Sequence, residues 1–247
     1  MGYPSRRSLL AAVGSRPDDS ASRVENSNHE KLYRMSGAPK FDANFRAQLR
    51  DLLIWRRDVR HFRQDPVSKD TLHRLLQLAC LSPSVGLSQP WRFVVVRDST
   101  RRDAIRACFE ACNAEALLDQ TQERASLYAR LKLAGLDDAP CQVAVFADRS
   151  TTQGRGLGRL TMPEMIEYSA VLAAHTLWLA ARAEGVGLGW LSILDPLRVA
   201  EILDVPAEWT LIGYLCLGYP VDENQTPLLE QEGWEARRPL SEVIVDR

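Results

Sequence analysis

Apolar residues recur at helical spacing in several stretches of the chain, with short continuous apolar runs between them. This pattern predicts helices alternating with buried strands. Phe45, Leu49, Leu52 and Leu53 stand at i, i+4, i+7 and i+8, the stripe of an amphipathic helix that ends just before Arg56. Leu72, Leu75, Leu76 and Ala79 form a second stripe, with Ser68 in the N-cap position. Thr100-x-x-Asp103 opens a helical region that reaches, with breaks, to Ala134, where Gly135 stops it. Thr161-Met162-Pro163-Glu164 has the form of a capping box with proline in the first turn, and it begins a long helix that ends at Gly185. Val171, Leu172, Leu177, Trp178 and Ala181 make that helix too apolar to face water. His175 among them reads as a core or interface histidine rather than a catalyst.

The strand-like runs are Val94-Val95-Val96, behind Pro90, then residues 141–146, behind Pro140, and later residues 186–193 and 209–217. Asp195-Pro196 starts a short helix between the last two. The order of elements suggests one mixed sheet wrapped by helices, an α+β fold without internal repeats. Residues 41–247 form the expected domain. Residues 1–40 read as a disordered extension, because Gly14 to Lys40 is rich in Ser, Asn, Asp and Arg without periodicity.

Composition narrows the class only slightly. The chain has 247 residues, 45% of them apolar, enough for a sizeable core, and its formal net charge of -1 gives no sign of a nucleic-acid or anionic-membrane surface. Its five cysteines lack CxxC spacing and sit in apolar or helical contexts, as in a reduced cytoplasmic protein. No metal-ligand spacing is present. Ser5-Arg6-Arg7-Ser8-Leu9-Leu10 is superficially like a twin-arginine signal, but the apolar run that follows stops at Val13, too short for an h-region. No later run is long enough to span a bilayer.

The candidate chemistry is concentrated in two segments. Arg56-Arg57-Asp58-Val59-Arg60-His61-Phe62 sets cations around one carboxylate at a helix end, and guanidinium forks suit phosphate oxygens better than an ammonium point charge does. Pro83-Ser84-Val85-Gly86-Leu87-Ser88-Gln89-Pro90-Trp91 follows a helix with small residues, which let backbone N–H groups approach a flat ligand. A third segment, Gln153-Gly154-Arg155-Gly156-Leu157-Gly158, does not satisfy G-x-G-x-x-G and reads as a flexible loop rather than a dinucleotide site.

Together these segments resemble the FMN-dependent nitroreductase family, whose R-x-S-x-R/K-x-F element and S/N-x-QPW loop occur in this order. The resemblance covers roughly residues 44 to 247. It extends to LWLAARAEGVGLGWLSI at residues 177–193 and GWEARRPL at residues 233–240, and within the family it points to the branch that fragments reduced FMN. It implies an α+β nitroreductase-like fold with a mixed, mainly antiparallel sheet surrounded by helices. It also implies an interlocked homodimer with flavin sites at the subunit interface.

The resemblance implies roles residue by residue. Arg56 would hold the FMN phosphate, Arg57 and Asp58 would lie beside the ribityl chain, Val59 would also belong to the cofactor-binding set, and Arg60 would reach the pyrimidine edge. Arg237 would close over the phosphate. Ser84, Val85 and Gly86 would line the ring, Leu188, Gly189 and Ser192 would form the wall near flavin N5, and Leu131 would belong to a segment, residues 128–135, folded over the flavin. Leu87 stands where many nitroreductases have asparagine and Asp58 where they generally have serine, departures that match the flavin-fragmenting branch.

The implied reaction takes reduced FMN and dioxygen to 5,6-dimethylbenzimidazole and erythrose 4-phosphate, with a separate reductase supplying the reduced flavin. Asp58 would act as general base at ribityl C1′, and Ser192 would position oxygen or relay protons. Asp58 as a plain salt-bridge partner and Ser192 as a strand-end hydroxyl remain the structural alternatives. The functional alternatives are an NAD(P)H-dependent nitroreductase or quinone reductase that recycles its FMN, and a non-catalytic flavin-binding protein.

Overall fold

The computed structural model describes residues 38–131 and 135–247. The chain divides into two compact units, Met1–Arg46 and Ala47–Arg247. Within the first, the Phe41 and Phe45 rings stack at 4.5 Å, and the Asp42 carboxylate accepts from the Phe45 N–H at 2.8 Å where α1 (Ala43–Trp55) begins. The expected extension lies outside the described residues as far as residue 37, and so does the arginine pair at residues 6 and 7.

Four strands carry the second unit: β1 (Trp91–Val95), β2 (Cys141–Asp148), β3 (Gly187–Leu191) and β4 (Trp209–Gly218), in spatial order β1-β2-β4-β3. Every ladder is antiparallel. The parallel element of the expected mixed sheet is an isolated bridge, Asp58 to Leu188. All eight residues of β2 are buried, as a strand covered on both faces requires.

Alternation along β2 and β4 divides the core in two. Val143, Val145, Leu215 and Leu217 face the helices α2 (Lys69–Ala79) and α5 (Met165–Ala183), packing with Leu72, Leu75, Ala174, Leu177 and Ala181. Ala144, Phe146, Tyr214 and Cys216 point the other way, toward Ile105 and Cys108 of α3 (Ser99–Leu118) and Val199 and Leu203 of α6 (Pro196–Leu203). The remaining described helices are α4 (Gln122–Arg130) and the single turn α7 (Leu228–Gln231).

Local signals set most helix starts. Ser68 caps α2 by accepting from the Thr71 N–H at 3.0 Å, and Asp195 caps α6 through the Leu197 and Arg198 N–H groups. Two expected caps are different. α3 is capped by Asp98, whose carboxylate accepts from the Arg101 N–H at 2.8 Å, rather than opening at Thr100. The Thr161 to Glu164 box makes no side-chain cap bond, because residues 163 and 164 form a separate turn and α5 begins only at Met165.

The largest departure concerns exposure. Val171 and Leu172 are 40% and 43% exposed in the single chain, and His175 is exposed beside them. The helix has two apolar faces, and only the one bearing Ala174, Leu177 and Ala181 reaches the sheet. The α1 stripe is likewise exposed at Phe45, Leu49 and Leu53.

Tyr214 and Gln142 are fully buried partners: the phenol donates to Gln142 Oε1 at 2.7 Å, and Gln142 Nε2 donates to the Leu136 carbonyl at 3.0 Å. Burial pushes the neighbouring Cys216 thiol up to about 12, so it is an inert core group. Tyr214→Phe is expected to leave the Gln142 oxygen without a donor and cost about 1–3 kcal/mol. Urea unfolding should show a lower midpoint at unchanged m-value.

Candidate functional site

Residues 56–63 leave α1 and are sewn to the sheet by main-chain bonds. The Val59 N–H donates to the Leu188 carbonyl at 3.1 Å, the Arg63 N–H to the Tyr219 carbonyl at 2.8 Å, and the Val221 N–H to the His61 carbonyl at 3.1 Å. Phe62 anchors the segment in the core at 4% exposure, against Gly135 and Gly218. β3 accepts this neighbour because its facing positions lack side chains. A Cβ on Gly189 would come 2.3 Å from the Val59 carbonyl oxygen, and one on Gly187 would come 2.8 Å from Val59 Cγ2.

Asp58 sits at the centre of this join. Its Oδ1 accepts from the Trp190 N–H at 2.7 Å, and its Oδ2 pairs with the Arg60 guanidinium. Both carboxylate oxygens are therefore oriented by the protein. A cavity of about 240 Å³ opens against Asp58, Arg60 and His61, walled on its far side by Asn224, Thr226 and Leu228.

The two adjacent arginines behave differently. Arg57 Nε donates to the Gln225 carbonyl at 2.7 Å, Nη1 to the Arg56 carbonyl at 2.8 Å, and Nη2 to the Ile54 carbonyl. Its guanidinium thus ties the end of α1 to the C-terminal wall, and Arg57 also lines both openings at the site. Arg56 makes no side-chain hydrogen bond or ion pair among the described residues; its guanidinium carbon lies 4.4 Å from the Trp178 ring centroid. Trp178 Nε1 in turn donates to the Arg57 carbonyl at 3.2 Å, and its ring lies 6.1 Å from that of Trp190.

Arg237 belongs to the same electrostatic group and lines a second opening of about 570 Å³ with Arg50, Arg57 and Glu230. Burial holds the Arg56 guanidinium below its ordinary value, Asp58 pulls it back up, and Arg237 lowers it again. Burial also lowers Arg57, followed by repulsion from Arg56 and Arg237, with Glu230 opposing. Arg56, Arg57 and Arg237 thus form a positively charged corner, an environment that favours an anion.

The remaining expected residues lie elsewhere in the chain. Ser84, Val85 and Gly86 form a turn after α2, held by Ser169, whose hydroxyl accepts from the Val85 N–H at 3.0 Å. Ser169 and Trp178 are nine residues apart on α5, roughly 13 Å along its axis. None of the three lines the openings beside the arginines. Leu188 contributes its main chain to the site while its side chain is 1% exposed in the core, and Ser192 is exposed just beyond β3. Leu131 is buried at the end of α4, whereas residues 132–134 of the expected covering segment lie outside the described residues.

The glycine-rich segment at residues 153–158 packs on the turn at residues 84–88. Gln153 Nε2 donates to the Leu87 carbonyl at 2.8 Å, and a Cβ on Gly154 would come 2.6 Å from the Gly86 oxygen. It buttresses a loop instead of forming a site of its own. Among the described residues, no group of His, Cys, Asp and Glu is placed to hold a metal ion. Trp178, Trp190 and Gln225 join the site without having been expected there. Trp178 reads from periodicity as core, and the other two act through their main chains, which side-chain patterns do not reveal.

Residues 53–219 match the model of the nitroreductase family. The chain is 57% identical over 205 residues to 5,6-dimethylbenzimidazole synthase of Rhodospirillum rubrum, covering 83% of this chain and 97% of that one. It is 44% identical over 199 residues to the protein of the same name from Rhodobacter capsulatus, covering 81% and 96%. Among solved structures, iodotyrosine deiodinase bound to FMN and 3-iodo-L-tyrosine superposes with a TM-score of 0.62 at 26% identity, covering 80% of this chain and 97% of that one. A nitroreductase-like protein from Desulfovibrio desulfuricans in complex with FMN shares the fold, with a TM-score of 0.56 at 23% identity over 81% and 96% of the two chains.

Gly189→Ala should force Val59 away from β3 and cost about 1–3 kcal/mol as an overpacking change. The measurement is a urea melt beside an FMN titration. The folded fraction is expected to bind FMN more weakly, because Asp58 and the arginines ride on the displaced segment.

Proposed function

The chain belongs to the nitroreductase family, and we propose that within it the protein is a 5,6-dimethylbenzimidazole synthase, an enzyme that consumes reduced FMN instead of recycling it. The observation that carries this reading is the Asp58 carboxylate, fixed at both oxygens and near enough for its charge to act on Arg56, as that of Arg237 also does. A hydroxyl suffices to hydrogen-bond a flavin that is only reduced and reoxidised. A fixed carboxylate can also take a proton.

The residues fit FMN at its phosphate end. Arg56 offers in-plane donors, and Arg237 supplies a second cation that its neighbours feel electrostatically. Bound there as substrate, reduced FMN would supply the carbons of both 5,6-dimethylbenzimidazole and erythrose 4-phosphate in an oxygen-dependent cleavage, the pyrimidine part of the ring system leaving as a further fragment. Asp58 acts as general base at ribityl C1′, with the Trp190 N–H and Arg60 holding its orientation. Ser192, exposed just beyond β3, is the hydroxyl to which we assign proton relay.

Two copies complete the site. The exposed apolar residues of α1 and α5, Leu49, Leu53, Val171 and Leu172 among them, supply surface for a homodimer. The turn at residues 84–86, remote from the arginines of its own chain, would then line the flavin ring of a site shared between subunits. A separate flavin reductase supplies reduced FMN. No described helix is long and apolar enough to cross a membrane, and the five unpaired cysteines suit the reducing cytoplasm in which we place the enzyme.

Mixing the protein anaerobically with reduced FMN, then admitting dioxygen, is expected to yield benzimidazole in proportion to flavin lost. Sustained NAD(P)H-driven reduction of nitroaromatics with FMN intact would establish the recycling nitroreductase instead. Arg56→Ala and Arg237→Ala should each weaken FMN by about 1.5–3 kcal/mol and riboflavin little, read by flavin fluorescence titration. Asp58→Asn keeps the shape and removes the base. It should bind reduced FMN but lower product per flavin oxidised by a factor of about 10² to 10⁴. An unchanged ratio would leave Asp58 as a structural partner of Arg60.

A further inference from the structure

Adjacent arginines in one segment meet opposite fates, and one side chain separates them. Arg57 has spent its guanidinium on three main-chain carbonyls: Gln225, Arg56 and Ile54. Arg56, one residue earlier at the same helix end, has spent none of its donors among the described residues, its guanidinium lying over the Trp178 ring instead. The reason lies beneath it. Trp178 presents its ring face 4.4 Å from the Arg56 guanidinium carbon, and its indole Nε1 donates to the Arg57 carbonyl at 3.2 Å. That bond occupies an acceptor the arginines could otherwise claim, and it fixes the main chain that carries both of them.

Stacking and hydrogen bonding use different parts of a guanidinium. The ring holds the flat face through charge and π-contact, and the N–H donors in the plane stay available for a forked pair of oxygens. An aliphatic side chain at residue 178 would give the cation neither attraction nor a preferred plane. Arg56 would then be free to turn onto the carbonyls at the end of α1, as Arg57 has done. Trp178 is itself braced: its ring lies 6.1 Å from that of Trp190, and Trp190 packs against Gly213, where a Cβ would come 2.2 Å from the indole nitrogen. Gly213 thus reserves space for one indole, which supports the other.

We propose that Trp178 is a positioning residue for phosphate recognition, holding Arg56 face-on so that its donor edge is preserved for the ligand's phosphate, while Arg57 serves as a strap for the C-terminal wall. This rests on the reading of Arg56 as the phosphate arginine. It assigns the selectivity of the site for a phosphorylated flavin to the pair formed by Arg56 and Trp178, with Arg57 outside that pair.

The test is a double-mutant cycle on the full chain, with FMN and riboflavin as separate probes in equilibrium titrations. Trp178→Leu is expected to weaken FMN about tenfold and riboflavin less than about twofold. Trp178→Phe keeps a ring under the cation and loses only the N–H bond, so it should restore much of the FMN affinity. In Arg56→Ala, adding Trp178→Leu should cost FMN nothing further, because the tryptophan acts through the arginine. In turnover, Trp178→Leu should raise KM for reduced FMN and leave product per flavin oxidised unchanged, since Asp58 is held by the Trp190 main chain. Equal weakening of FMN and riboflavin, or full additivity with Arg56→Ala, overturns the proposal. If Trp178→Leu does not fold, the same cycle is run with Trp178→Phe, whose smaller FMN-selective loss must also vanish in Arg56→Ala. If Arg56→Ala itself fails to distinguish FMN from riboflavin, the phosphate reading falls and takes this proposal with it. If Arg56→Ala distinguishes them and the tryptophan variants do not, only the role of Trp178 is refuted.

Discussion

Everything at the site depends on how closely the segment after α1 approaches β3. A main-chain bond from Val59 to Leu188 and a side-chain bond from Asp58 to the Trp190 N–H are made only if the two backbones lie nearly in contact. The glycines at 187 and 189 permit that distance; any Cβ there would stand inside the Val59 van der Waals envelope. A loop carrying several cations would otherwise be a mobile, solvated helix end. Here it becomes an extra partner of the sheet, and its charges inherit the rigidity of β3 and β4. Precision comes from the scaffold, and the glycines at 187 and 189 shape the site through the close approach they permit.

Rigid attachment also changes what the charges do. Arg60 and the Trp190 N–H satisfy both oxygens of Asp58, which makes its position independent of the ligand. Burial is the main reason the Arg56 and Arg57 guanidiniums stand below their ordinary values, with the nearby positive charge of Arg237 adding to it in both cases.

The sequence showed more of the chemistry than of the geometry. The arginine cluster, Asp58, the Ser68 and Asp195 caps and the apolar strand runs were all legible, because each depends on local residue type and spacing. The cap of α3 was misplaced by two residues, since Asp98 and Thr100 are both capable oxygens and only backbone geometry selects between them. The exposed half of α5 was invisible for another reason. Apolar periodicity reports that Val171 and Leu172 avoid water, and it does not report whether their own chain or another one covers them. The strap made by Arg57 and the stack under Arg56 were beyond reach, because they depend on where a tryptophan 122 residues after Arg56 falls on a helix face.

The division of labour between neighbouring arginines bears on how such motifs should be understood. Three cations in five residues suggest a shared electrostatic role, yet the structure gives them three separate settings: Arg60 pairs with the Asp58 carboxylate, Arg57 fastens a wall, and Arg56 stacks on an indole. What distinguishes them is the partner each meets: a carboxylate, a set of carbonyls, or an aromatic face. The first two saturate the guanidinium and convert its charge into structure. An aromatic face holds the cation without consuming a donor, which makes it the partner best suited to an arginine that must be both immobile and available.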